Sequence, residues 1–229
     1  MKSVTPDARL RAAAGFVRQG ARLADIGTDH AYLPVSLLRG GRIPFAVASD
    51  ISAGPLAHAR ETAAFVGIGE DRLALVLTPG LRGIEAYRPT DITVCGMGGE
   101  MIAAILVEAP FVRDTDIRLI LQPMSRAQVL RQYLAENGFV IECETLARVK
   151  RHVYTCLCVH YRGGRETLSP LDAYLGAYYT RGAGREHPLF PAYLAEQIAT
   201  VRRRVSGLRS VSATTAEDEE LLAGMEAYL

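Results

Sequence analysis

The sequence predicts an α/β protein built on a doubly wound, mostly parallel sheet. Three observations carry that reading. Short apolar strand segments alternate with helical segments from Arg22 to Gly138, the first pair joins through a single-glycine turn in RLADIGTDHAYLPVSLL (22–38), and two alternating runs close the series as a hairpin. Sheets of this kind bind ligands at the carboxyl ends of their strands, so residues 25–30 are the first place to expect chemistry.

The elements follow in order from periodicity and punctuation. Leu10, Ala13, Ala14 and Val17 predict a helix over 6–18, capped by Thr5 with Pro6 in its first turn. RLADI is the first strand, 33–39 its helix, and PFAVASDI a buried second strand ending at Asp50. A helix over 55–66 turns Leu56, Ala59, Ala63 and Val66 inward and stops at Gly67 and Gly69. Residues 73–77 form the third strand, followed by a loop through Pro79, Gly80 and Gly83. DITVC (91–95) is the fourth, ended by Gly96-Met97-Gly98-Gly99 before a helix marked by Met101, Ile102, Ile105 and Leu106. Residues 117–121 are the fifth, with Gln122, Pro123 and Met124 at its tip. Ser125 and Gln128 read as a capping box for a helix that stops near Gly138. Runs 139–149 and 153–161 then make a hairpin turning at Lys150, Arg151 and His152.

This layout places one domain at 1–162 and, after the linker RGGRETLSP, a helical tail at 163–229. In the tail, Phe190, Leu194, Ile198, Val201, Val205 and Leu208 form one apolar seam and Leu221, Leu222, Met225 and Leu229 another, which predicts an antiparallel, coiled-coil-like hairpin. The first seam would serve a dimer as easily, so oligomeric state stays open.

Composition narrows the classes. A chain of 229 residues that is 49% hydrophobic and 22% charged is globular, and MKSVTPDARL has no leader-like apolar run. No 18-residue uncharged apolar stretch exists, so the expectation is a cytoplasmic protein without a membrane span. A net charge of +1 gives no global basic field, and any nucleic-acid surface must be local. Cys95, Cys143, Cys156 and Cys158 show no zinc-like spacing and read as buried thiols, with no metal expected.

Asp50 ends the second strand 23 residues after Gly27, where nucleoside-binding sheets place a carboxylate on ribose hydroxyls; an ordinary turn aspartate is the competing reading. DIGTDH has one glycine where GxGxxG would close on a pyrophosphate, which disfavours NAD. A phosphate-free nucleoside such as S-adenosylmethionine fits better, with Asp25 on its ammonium. Asp29, His30 and Tyr32 stand at the cleft mouth. Gly96-Met97-Gly98 offers open backbone to a planar group and lacks the Asp/Asn-Pro-Pro-aromatic motif of exocyclic amine methylation, which argues against that chemistry and is consistent with a ring nitrogen as acceptor. Arg202, Arg203, Arg204 and Arg209 either grip phosphate or pair with the acidic run 217–220.

ADIGTDHAYLP, SDI with Gly54-Pro55, VCGMGGE, LILQPM with Leu130-Arg131, and YTCLCVHY together resemble the bacterial TrmK family of tRNA adenine-22 N1-methyltransferases. The resemblance implies a class I (Rossmann-like) methyltransferase sheet, S-adenosylmethionine as donor, tRNA as partner and a C-terminal helical hairpin that helps grip it. By that match Asp25, Gly27, Thr28, Asp29, His30, Asp50, Ile51, Cys95, Gly96, Met97 and Gly98 line the donor pocket, and Tyr32, Gln122 and Met124 lie toward the acceptor. Asp29, His30 and Tyr32 are the catalytic candidates, and Gln122, Met124, Arg202 and Arg203 the substrate contacts. Thr78-Pro79-Gly80-Leu81 stands where the family has Gly-Asp-Gly-Leu, and Met124 where many members have asparagine. These departures keep open a methyltransferase of another RNA or a small molecule, and a non-catalytic RNA-binding homologue.

Overall fold

The computed structural model describes residues 5–210 and 214–229. Five parallel strands, β1 (Arg22–Ile26), β2 (Phe45–Asp50), β3 (Leu73–Leu77), β4 (Asp91–Gly98) and β5 (Arg118–Ser125), are extended by the antiparallel pair β6 (Phe139–Val149) and β7 (His152–Tyr161). Their order across the sheet is β3-β2-β1-β4-β5-β7-β6. The chain winds from β1 to one edge and restarts on the other side of β1 at β4, so the crevice between β1 and β4 is the switch point where such sheets bind ligands.

Strand alternation divides the core between the two faces. Leu23, Ala46, Ala48 and Ile120 pack under α1 (Ala8–Phe16), α2 (Tyr32–Arg39) and α3 (Ala53–Phe65). Ala24, Val47, Leu119 and Leu121 pack under α4 (Gly99–Val107) and α5 (Ala127–Glu136). Each fully buried Leu or Ile contributes about 1.5–3 kcal/mol relative to exposure.

The tail begins with two short helices, α6 (Pro170–Leu175) and α7 (Ala177–Thr180), the first starting at the last residue of the stretch expected to be linker. The long helices α8 (Phe190–Ser210) and α9 (Ala216–Glu226) then pair antiparallel, as their seams predict, and Leu146 and Val153 of the β6–β7 hairpin join the same apolar cluster. A buried ion pair fastens this unit to the sheet. Arg131 on α5 donates to both Glu144 oxygens at 3.0 and 2.7 Å and to the Ala173 and Tyr174 carbonyls, each at 2.9 Å. Among the described residues no helix is long and apolar enough to cross a membrane.

Three local expectations need correction. Helix α1 starts at Ala8 and is capped by Asp7, which accepts from the Arg9 and Leu10 amides, not by Thr5. Strand β4 continues through Gly96 and Met97 to Gly98 with register shifts, because it keeps pairing with a β5 that itself runs on to Ser125. Helix α5 has no side-chain cap: Arg126 enters it in a left-handed conformation, φ 54°, while Ser125 remains in the strand.

Candidate active site

Gly27 ends β1 at φ +73°, and its amide and that of Thr28 both donate to the Ser49 carbonyl, at 2.8 and 2.9 Å, which folds the turn against β2. A β-carbon at Gly27 would come within 1.9 Å of Met97 Cε, so glycine lets the Met97 side chain lie across the turn. Two cavities meet at this point. One, of about 470 Å³, is bounded by Asp25, Thr28, Asp29, His30, Tyr32, Cys95 and Gly96 and roofed by Asp7 and Arg9. The other, of about 430 Å³, lies between Asp50, Ile51, Pro79, Met97, Met101 and Ile105.

Asp25 is the buried charge of the first cavity. It accepts from Thr93 Oγ1 at 2.7 Å, and burial pushes its carboxyl up to about 6 against the pull of hydrogen bonds from Thr93 and Thr28. No cationic side chain among the described residues pairs with it. The arrangement therefore suits an incoming ammonium. Burial, together with Cys156 and Asp25, holds the Cys95 thiol well above its ordinary value, so it lines the wall as a neutral group. Thr28 Oγ1 also accepts from the Ala31 amide at 3.1 Å, closing the turn into α2.

The second cavity is mostly apolar, with two carboxylates, Asp50 and Glu108, in its lining. Asp50 Oδ1 accepts from the Ser52 amide at 2.7 Å, and its other oxygen has no partner among the described residues. Ile51 and Met101 are 72% and 58% exposed, unusual for large apolar groups and suited to covering a flat ring. Pro79 brings neither an acceptor side chain nor an amide donor to that wall.

At the mouth, Tyr32, His30 and His58 stack in series, with centroids 5.0 and 4.7 Å apart and planes within 17°. Asp29 reaches both imidazoles, with Oδ2 3.4 Å from His30 Nε2 and Oδ1 3.8 Å from His58 Nδ1. An exposed carboxylate beside a column of rings can hold a positively charged planar group.

Most of the sequence-predicted residues come together here. Asp25, Thr28, Asp29, His30, Tyr32, Cys95, Gly96 and Met124 line the first cavity, Asp50, Ile51 and Met97 the second, and Gly27 both. Gly98 sits outside both as the N-cap of α4. Gln122 does not contact the acceptor space as expected: it is fully buried, its oxygen takes Arg9 Nη1 at 2.9 Å and the Gly96 amide at 3.2 Å, and its nitrogen donates to the Pro123 carbonyl. Arg202 and Arg203 lie apart on α8, where Arg202 pairs with Glu226 at 2.6 Å and Arg203 donates to Thr200. Arg204 and Arg209 pair with Asp218 and Glu219, so most of the basic cluster is engaged by α9.

Asp7, Arg9 and His58 were not among the sequence candidates. Arg9 bridges Asp7 and Gln122, a contact across 113 positions that no local pattern encodes. The spacing Asp7-x-Arg9 beside a helix start was the one available signal.

Comparison with known proteins gives three concordant findings and a family. A methyltransferase-domain model matches residues 7–157. The tRNA (adenine(22)-N(1))-methyltransferase of Bacillus subtilis is 32% identical over 149 residues, 65% of this chain and 62% of that protein. A Mycoplasma pneumoniae protein provisionally described as a tRNA methyltransferase is 30% identical over 59% of this chain and 61% of its own length. The match thus spans less than two thirds of each of these curated relatives. A Streptococcus pneumoniae structure, provisionally described as a tRNA (m1A22) methyltransferase in complex with S-adenosyl-L-methionine, is 31% identical with a TM-score of 0.79, covering 93% of this chain and 98% of that one.

Proposed function

This chain belongs to the methyltransferase-domain family, in its TrmK branch, and on that premise we propose that it transfers a methyl group from S-adenosylmethionine to N1 of adenine 22 in tRNA. One observation carries the donor half: a buried carboxylate without a cation, Asp25, in the first cavity beside the Gly27 turn where the two cavities meet. An amino-acid ammonium fits Asp25, a ribose diol fits Asp50, and an adenine fits the apolar space between Ile51, Pro79, Met97 and Ile105. Bound there, S-adenosylmethionine supplies a methyl on a sulfonium, which departs as a neutral thioether.

The chain's own residues do the rest by placement. Gly27 leaves the passage between the cavities open to backbone approach, and Met97 lies across it. The acceptor adenine, turned out of its stack, enters the first cavity beside Tyr32 and His30. Its N1 lone pair forms the new C–N bond in line with the breaking C–S bond, and the methylated ring carries a positive charge. Asp29 stands where that charge arises and holds it without removing a proton, so the transfer needs no metal and no strong base. On this reading residues 1–162 hold donor and target base, residues 163–229 help hold the RNA, and the protein works in the cytoplasm.

The test is labelled-methyl transfer to an unmodified tRNA transcript with adenine at position 22, against the same transcript with guanine there. Label only with adenine, recovered as N1-methyladenosine, is expected. Label with neither, while calorimetry still shows donor binding, overturns the tRNA reading and favours a different substrate, as Pro79 and Met124 would then mark.

A further inference from the structure

A cleft of about 620 Å³ opens beside the acceptor cavity, between the β5–α5 junction, the β6–β7 turn and α8. The two spaces share Met124. Arg9 Nη1 lies 2.8 Å from the Met124 sulfur, and the Arg9 guanidinium is 5.7 Å from the Tyr154 ring centroid. The partition between acceptor cavity and cleft is therefore one side chain thick.

The cleft is polar and aromatic, with two arginines in its lining. Arg126 and Arg204 line it with His152 against one carboxylate, Glu196, which accepts from the Val153 amide at 3.1 and 3.3 Å and lies 3.7 Å from His152 Nδ1. Arg204 is held by Asp218, which leaves Arg126 as the cation closest to unengaged: its nearest carboxylate is Glu100 at 3.6 Å, with both side chains 61% exposed. The backbone fixes where Arg126 stands. Its carbonyl oxygen would lie 2.2 Å from a β-carbon at Gly99, so close packing against the start of α4 holds a non-glycine residue at φ 54°.

We propose that this cleft is a nucleotide subsite that takes the RNA residue flanking the target adenine, its base against Tyr154 and its phosphate at Arg126. The proposal rests on the tRNA-methyltransferase reading above. A strand whose adenine occupies the first cavity must carry its neighbour over the Arg9–Met124 saddle, and the far side of that saddle offers a ring to stack on, a cation for the phosphate, and the side chains of Gln128 and Gln197 for base edges. The paired arginines of the α8–α9 hairpin are secondary in this arrangement.

The experiment uses the full chain and a fluorescent unmodified tRNA transcript with adenine 22, titrated by anisotropy over a salt series, with methylation kinetics on the same transcript. Arg126→Gly removes the guanidinium and relaxes the left-handed backbone. It should weaken tRNA binding several-fold and lower the slope of log K against log salt by about one. Tyr154→Ala should raise KM for tRNA roughly tenfold, with Tyr154→Phe close to the parent. Donor affinity by calorimetry should stay constant in all three. Unchanged KM and salt slope in both Arg126→Gly and Tyr154→Ala, in a parent that methylates tRNA, overturns the subsite alone, as does donor affinity falling in step with RNA affinity. A parent that binds donor but neither binds nor methylates tRNA overturns the reading beneath it.

Discussion

Asparagine in place of Asp25 is expected to stabilise the donor-free protein while weakening its hold on donor. The folded carboxyl sits at about 6 against an ordinary 3.8 because it is buried. Between those values the folded state keeps its proton and the unfolded state has lost it, so stability falls as pH rises through the window and the penalty is complete above about 6. At about 1.4 kcal/mol per pH unit, the gap amounts to about 3 kcal/mol. Asparagine keeps an acceptor for Thr93 and Thr28 but buries an amide that must find its own partner, so a net gain of about 1–2 kcal/mol is expected, or roughly 3–6 °C in a chain of this length. Thermal melts of Asp25→Asn and parent at pH 7.5 and pH 4 measure it: the gain should be present at the first and gone at the second. A variant less stable than the parent at pH 7.5, or an equal gain at both, would refute the reasoning. On the donor side, parent affinity for S-adenosylmethionine should strengthen as pH rises through about 6, and the variant should be weaker and flat. Donor at a hundred times its Kd should raise the parent's stability by about 2.7 kcal/mol, a shift the variant loses at the same concentration.

Gly27→Ala should abolish detectable donor binding by calorimetry, since its β-carbon meets Met97 and its φ of +73° disfavours any side chain; donor binding retained at parent strength would count against the fork as the donor passage. Asp29→Ala should cut methyl transfer by a hundredfold or more, as loss of an electrostatic stabiliser does, while leaving the fold and donor affinity intact; normal turnover would remove Asp29 from its assigned role. Arg131→Ala should cost roughly 3–5 kcal/mol in urea denaturation because it strands Glu144 in the core, whereas the double change Arg131→Met with Glu144→Leu should cost much less; equal losses would show that the ion pair is not what fastens the tail.

The parallel strands were legible because strands covered on both faces are written as short apolar runs bounded by glycine, proline or charge, and FAVASD at β2, buried from Ala46 to Ser49, ends at Asp50 as expected. The carboxyl ends of the strands followed from the predicted alternation, and with them the positions of Asp25, Asp50 and the Gly96-Met97 backbone; the strand order that makes β1 and β4 the switch point did not. What escaped the sequence is contact at long range. Tertiary packing overrode the Ser125–Gln128 cap, because Gly99 admits the Arg126 carbonyl so closely that α5 must start there. Pairing of the basic cluster with the acidic run 217–220 was one of the two readings the sequence offered, and Arg204 and Arg209 do pair there; that Arg202 reaches Glu226 instead depended on which residue of α9 falls opposite it. His58 joined the ring column only because α3 packs beside α2.

Helix α1 links the fold to the chemistry, and its length explains how. At its foot, Arg18 donates from its amide and its Nε to Asp91, each at 2.7 Å, clamping the chain to the start of β4. At its head, Asp7 caps the helix with one oxygen and holds Arg9 with the other, and Arg9 reaches Gln122 beside the Gly96 amide near the end of β4. A nine-residue helix rises about 13.5 Å, and the strand from residue 91 to 96 rises about 17 Å, so α1 with its flanking turns spans the sheet from its structural edge to its ligand edge. The same helix that buries Ala13 against the core thus sets the height of the roof over the first cavity. Arg9 can serve as a fixed wall between the first cavity and the cleft because its helix is tied at the foot to Asp91 of β4 and at the head to Gln122 of the neighbouring β5, which also accepts from the Gly96 amide of β4, so the guanidinium is anchored to two paired strands of the sheet.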